Sequence, residues 1–188
     1  MLKSIAFVGT HSSGKSTLIH AYEAAHPGAD ITIIRGITRS IIRRGFPMEK
    51  NSTVDSFTNY IRDELQAERA ARCKAREILF SDRTVLDAAA YARVNTHLPR
   101  PFVPDYFVDM LLEVALLEAC RYDLFVYCPA EFPMQADPFR PIDETYRQQV
   151  GDQIKTFLSE HRIAHIIASG GVDGRLKTLT QAINKLHG

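Results

Sequence analysis

The stretch Gly9-Thr10-His11-Ser12-Ser13-Gly14-Lys15-Ser16 decides the reading of this chain. It fits G-x-x-x-x-G-K-[ST] at every fixed position. Its flanks fit as well. The apolar run Ser4-Ile5-Ala6-Phe7-Val8 precedes it with strand character, and Ser16-Thr17-Leu18-Ile19 opens a helical segment. Glycines at 9 and 14 permit a tight backbone path that turns amide N–H groups toward one centre, and the helix adds its positive end. Lys15 supplies a mobile point charge for β and γ phosphates, and the Ser16 hydroxyl is placed to ligate Mg²⁺. Gly9, His11, Ser12, Ser13, Gly14, Lys15, Ser16 and Thr17 are therefore the expected binding residues for ATP, with Mg²⁺ as the accompanying ion. His11 is read as a loop residue near the phosphates rather than as an acid or a base.

Working outward, short apolar runs alternate with helical periodicity. Ile31–Ile34, Ile78–Ser81, Leu124–Cys128 and His165–Ala168 join residues 4–8 as strand candidates. Most lack polar alternation, as expected of strands covered on both faces. Between them, Val54, Phe57, Ile61 and Leu65 recur at helical spacing, with Ser52 or Thr53 as the start. Residues 105–121 are apolar nearly all round and predict a buried helix. Leu176, Leu179, Ile183 and Leu186 form a last stripe, with Asp173 as its cap. Strands alternating with helices imply parallel β-α-β units with right-handed crossovers.

Further motifs fall where such strands end. Asp82-Arg83-Thr84 follows the third strand. There Asp82 either organises Mg²⁺ or accepts the acceptor's proton, and Arg83 can grip an anionic acceptor group through two parallel N–H bonds. Asp87 and Tyr91, four apart on one helical face, either line the acceptor pocket or serve structure. After the fourth strand, Arg140 sits in a proline-bounded loop and Arg147 on the helix that follows, a place suited to a lid closing over a migrating phosphoryl group. Asp143 and Arg147 are also spaced as an ordinary i,i+4 ion pair. After the fifth strand, Gly170-Gly171 allow close approach to a planar ring, and Arg175 either covers that ring or belongs to an ordinary strand-to-helix turn.

Composition limits the alternatives. The 188 residues are 45% hydrophobic and 24% charged, which excludes a disordered, collagen-like or coiled-coil chain and is short for two domains. With 23 Lys+Arg against 22 Asp+Glu, the net charge of +1 argues against an extensive nucleic-acid coat. No apolar run approaches the roughly 18 residues of a membrane span, and the start lacks a secretory pattern. Cys73, Cys120 and Cys128 lack metal-ligand spacing and read as reduced thiols of a cytoplasmic protein.

Taken together, the loop at 9–18, the run Asp82-Arg83-Thr84 with Asp87 and Tyr91, and the segment Arg140-Pro141-Ile142-Asp143 with Arg147 resemble the AAA-type ATPase family that includes the kinase domain of bacterial nicotinamide-riboside kinases. The chain also looks like nucleoside and nucleotide kinases more broadly, from about Ile5 to Arg175. The resemblance implies an α/β P-loop NTPase three-layer sandwich with a five-stranded parallel sheet in the order 2-3-1-4-5. It implies one kinase domain over residues 1–188, with a lid near residues 129–148. The implied activity is transfer of the γ-phosphate of ATP, with Mg²⁺, to a nucleoside- or nucleotide-like acceptor. Lys15, Asp82, Arg83 and Arg140 are the expected catalytic set, Ser16 and Asp82 the metal set, and Arg147 and Arg175 further ATP contacts.

One departure matters. Nucleoside kinases usually carry a catalytic carboxylate just after the second strand, whereas here that strand runs into Arg35-Gly36-Ile37-Thr38-Arg39, with no acid before Glu49. A hydroxyl acceptor must lose a proton, so it needs a base; a phosphate acceptor is already anionic and needs cations. The segment 35–44 carries four arginines, Arg35, Arg39, Arg43 and Arg44, of which Arg39 and Arg43 are one helical turn apart and at least one of Arg43 and Arg44 reads as a solvent-exposed side chain. Arg35, Arg39, Asp87 and Tyr91 are the expected acceptor contacts, and either the acceptor carries phosphate or Asp82 is the base for a hydroxyl. A third possibility is a hydroxyl on a modified base in DNA, with the arginines tracking the backbone. A regulatory nucleotide-binding ATPase is the competing class. The chain has no Asn-Lys-x-Asp base-reading motif, which weighs against a common GTPase switch, and the intact Lys15-Ser16 pair weighs against a pseudoenzyme. Phe57, Tyr60, Tyr91, Phe102 and Tyr106 are candidate stacking groups for a base.

Overall fold

In the computed structural model, which describes residues 2–99, 103–133 and 143–186, strands and helices alternate along the chain. The order is β1 (Lys3–Val8), α1 (Lys15–Ala25), β2 (Ile31–Ile34), α2 (Ile37–Arg43), a 3₁₀ turn (Glu49–Asn51), α3 (Val54–Arg72), β3 (Ile78–Asp82) and α4 (Val85–Asn95). There follow α5 (Asp105–Ala119), β4 (Leu124–Tyr127), α6 (Glu144–Glu160), β5 (His165–Ile167) and α7 (Val172–Lys185). The strands form one parallel sheet in the order β2-β3-β1-β4-β5.

Alternation along β1 explains why its sequence shows none. Ala6 and Val8 face a core shared with α3, α4, α5 and α6, while Ile5 and Phe7 face a second core shared with α1 and α7. Both faces are dry, so both parities are apolar. The result is three layers, helix on sheet on helix. Register then sets the site. Phe7 lies opposite Asp82, and the Arg83 amide donates to the Phe7 carbonyl at 3.0 Å. The end of β3 is thereby fixed beside the loop that leaves β1.

Local chemistry starts and stops the helices. Thr53 caps α3 through a reciprocal box with Ser56, and Thr84 caps α4 through one with Asp87. Two expectations need correction. Helix α5 is buried only along Phe107, Val108, Leu111 and Ala115, while Tyr106 (76% exposed), Met110 and Leu117 face outward. It lies in the outer layer on α4, so its sequence hydrophobicity overstates its burial. The cap of α7 is Gly171, and Asp173 sits inside the first turn, where its charge faces the helix's positive end. Among the described residues, no helix is long and apolar enough to cross a membrane.

Candidate functional site

The loop after β1 is held by cations that take its carbonyls. Lys15 Nζ donates to Gly9 O and Thr10 O, each at 2.7 Å, and to Ser13 Oγ at 3.1 Å. Arg147, from α6, donates to His11 O at 3.1 Å and Ser12 O at 3.0 Å. Arg175, from α7, donates to Ser13 O at 2.7 Å. Each carbonyl from Gly9 to Ser13 thus meets a cationic side chain. The Gly9 and His11 amides are taken by Asp87 and the Tyr91 hydroxyl, so the part of the loop left to offer N–H dipoles to an anion is the stretch from Ser12 into the start of α1.

The glycines are demanded by this geometry. Gly9 has φ +148°, and a Cβ there would lie 2.4 Å from the Cys128 carbonyl at the end of β4. Gly14, with φ +84°, sits at the N-cap of α1, where a Cβ would meet the Arg175 guanidinium at 3.1 Å. Lys15 is only 5% exposed. Burial, reinforced by the nearby Arg83 charge, lowers its pKa to about 8.

Across the loop, Ser16 Oγ donates to Asp82 Oδ2 at 2.5 Å. This hydroxyl–carboxylate pair is the oxygen donor set that a hard cation such as Mg²⁺ takes alongside water and phosphate oxygens, so Ser16 and Asp82 fit that ion. Arg83 follows with φ +93°, a conformation rare for a side chain that size. Its guanidinium lies 5.5 Å from the Tyr91 ring centroid and 3.7 Å from Asp87. Asp87 is buried and engaged on both oxygens, accepting from Gly9 N at 3.0 Å and Thr84 N at 2.9 Å. It ties the loop to α4 while also lining a side pocket.

A cleft of about 720 Å³ joins these groups. Residues 12–17 and Asp82 form one wall, and Arg35, Arg39 and Arg43 of the β2–α2 segment form part of the other. A smaller hollow of about 310 Å³ continues past Gly14 and Thr17 to Phe132, Val172 and Arg175. On the other side of Arg83, Phe57, Tyr60 and Tyr91 line the side pocket with Met48 and Glu49.

The expected site residues thus separate by place. Gly9, Ser12, Ser13, Gly14, Lys15, Ser16, Thr17, Asp82, Arg83, Arg35 and Arg39 lie on the loop or the main cleft. His11 does not line it. Its ring is 1% exposed, and Nδ1 lies 3.0 Å from the Tyr91 hydroxyl and 3.6 Å from Glu49, so it packs behind the loop. Arg147 is equally buried and braces the loop from α6 instead of reaching over a ligand. Arg175 does both: it holds the loop, and it lines the smaller hollow with its guanidinium 4.7 Å from the Phe132 ring centroid. Arg140 and Phe102 lie outside the described residues, as does much of the expected lid. Tyr106 is exposed on α5, away from the cleft.

Two carboxylates were given no role by the sequence reading. Glu49 lines the side pocket from the 3₁₀ turn, 3.6 Å from His11. Glu64 is 1% exposed within α3 and accepts from Ser81 Oγ at 3.2 Å. The same hydroxyl lies 2.7 Å from the Arg83 carbonyl oxygen, so its one proton is shared between the two acceptors and links Glu64 to the strained turn. Burial pushes the Glu64 carboxyl up to about 8. Its signal was an acid three residues beyond Ile61, on the apolar stripe of α3.

With this geometry in hand, comparison with known proteins adds its own findings. A family model described as an AAA domain matches residues 4–175. No curated protein matches the chain. Among solved structures, deoxyadenosine kinase from M. mycoides, with products dCMP and dCDP bound, is similar at a TM-score of 0.70 and 15% identity, over 97% of this chain and 99% of that one. NadR protein in complex with NR is similar at a TM-score of 0.71 and 18% identity, over 98% of this chain and 50% of that one. The chain therefore spans about half the length of NadR. Identities this low establish the shared fold alone, that of P-loop nucleoside kinases.

Proposed function

The chain belongs to the AAA-domain family, and on that premise we propose that it is a Mg²⁺- and ATP-dependent phosphotransferase acting on a nucleoside- or nucleotide-like acceptor. One observation carries the reading. The amide-lined loop, the Ser16–Asp82 oxygen pair and the arginine turn at 83 meet in a single cleft large enough for a triphosphate and a second molecule.

In this reading the donor lies across the carboxyl ends of the strands, with its base toward Phe132 and Arg175. Loop amides and Lys15 hold the β and γ phosphates. Ser16 and Asp82 would hold Mg²⁺, which when bound neutralises charge on those oxygens. Arg83 lines both the main cleft and the side pocket, which supports a role for it in contacting the γ-phosphate and the acceptor. Catalysis is mostly positioning and charge stabilisation, because phosphoryl transfer asks little covalent chemistry of the protein. The fold shared with deoxyadenosine kinase, and with NadR protein in its complex with NR, supports this reading.

The test is incubation with γ-labelled ATP and Mg²⁺ against a panel of nucleosides and nucleotides. Label on an acceptor, abolished in Lys15→Ala, is the expected result. Slow release of label to water whatever is added would refute a kinase and favour a nucleotide-dependent regulator.

A further inference from the structure

We infer that the acceptor carries a phosphate group, that this group is the nucleophile, and that Arg35, Arg39 and Arg43 hold it across the cleft from the nucleotide loop. The inference rests on the kinase reading above and deepens it.

The arginines of the β2–α2 segment are not equivalent. Arg44, at the end of α2, is paired with Asp63 of α3 at 2.6 Å. Arg35, Arg39 and Arg43 line the same cleft as Lys15 and Asp82, and none has a carboxylate or hydrogen-bond partner among the described residues. Arg39 and Arg43 are one helical turn apart on α2, so their guanidiniums share a face. All three are exposed to solvent along the cleft, so water screens them from one another, and their N–H donors stand open to an anion that enters it. Guanidinium groups also match the paired oxygens of a phosphate.

The carboxylates point the same way. Between the end of β2 and Arg44 there is no acid to take a proton from a hydroxyl. Asp82 is drawn to the metal side by its 2.5 Å bond from Ser16. Asp87 is consumed by the Gly9 and Thr84 amides. Glu49 lines the side pocket beyond Arg83 and not the main cleft. The cleft is thus rich in unpaired cations and poor in bases.

The step balances without a base. An ionised oxygen of the acceptor phosphate bonds to the γ phosphorus as the bond from that phosphorus to the β,γ-bridging oxygen breaks. The electron pair leaves on the nucleoside diphosphate, and no proton has to be removed from the acceptor.

The experiment compares each common nucleoside with its 5′-monophosphate, and with a short oligonucleotide, as acceptors for γ-labelled ATP. The inference expects label on a monophosphate to give the diphosphate, and expects Arg39→Gln and Arg43→Gln each to raise the acceptor KM by roughly tenfold or more. Arg44→Gln, altering the arginine already paired with Asp63, should leave transfer unchanged. Label on free nucleosides in preference to their monophosphates would overturn the inference while sparing the kinase reading. So would label on the oligonucleotide alone, or Arg39 and Arg43 variants that weaken ATP binding with the acceptor KM intact. Label reaching only water would overturn both.

Discussion

Raising the pH through 8 should loosen the protein's hold on ATP. Lys15 Nζ is buried against three loop acceptors, and its pKa falls to about 8, chiefly through burial and then through Arg83. A polyphosphate entering the cleft adds negative charge beside that ammonium and returns its pKa toward the ordinary value of 10.5. The complex then binds more protons than the empty protein above pH 8, so affinity is full below that point and declines above it. With these two values, the association constant drops roughly twentyfold between pH 7.5 and 9.5, or about 2 kcal/mol. Burial pushes the neighbouring Cys128 thiol up to about 11, so it stays neutral in this window. The assay is titration calorimetry with a non-hydrolysable ATP analogue at fixed Mg²⁺ and ionic strength. Lys15→Met should bind weakly and with a flat profile, because the titrating group is gone. A level wild-type profile to pH 9.5, or an equal slope in Lys15→Met, would refute the reasoning.

Two other outcomes follow from buried charge. Glu64 titrates near 8 in the folded chain against an ordinary 4.5, so the stability it withholds is absent below 4.5 and grows as pH climbs toward 8. Glu64→Gln should therefore match the wild type near pH 4.5 and exceed it at pH 8 by on the order of 4 kcal/mol in urea unfolding; a difference independent of pH would contradict this. Arg147→Met strips the cation from the His11 and Ser12 carbonyls, a loss of about 1.5–3 kcal/mol for each charged hydrogen bond. Affinity for the ATP analogue should then fall at least roughly tenfold along with the Tm, and a lower Tm with unchanged affinity would reduce Arg147 to a purely structural residue.

The nucleotide loop, the parallel alternation of strands and helices and the arginine turn at 83 were legible because each is a local pattern. A glycine at 9 or 14, an apolar strand before it and a helix after it are set by neighbours in the chain, and backbone sterics give such neighbours few other options. The capping of α4 by Thr84 and Asp87 is equally local, although only the structure revealed it. What the sequence could not assign is which side of each long-range contact a charge would face. Arg147 follows the loop by more than a hundred residues, and only the packing of α6 decides that it holds the loop's carbonyls instead of closing over a ligand. Arg43 and Arg44 are adjacent in sequence, yet helix phase sends one into the cleft and the other to Asp63. Residue type and spacing are written along the chain, but the direction of a side chain and the solvent it loses depend on surfaces brought together from distant segments, and so belong to the tertiary structure alone.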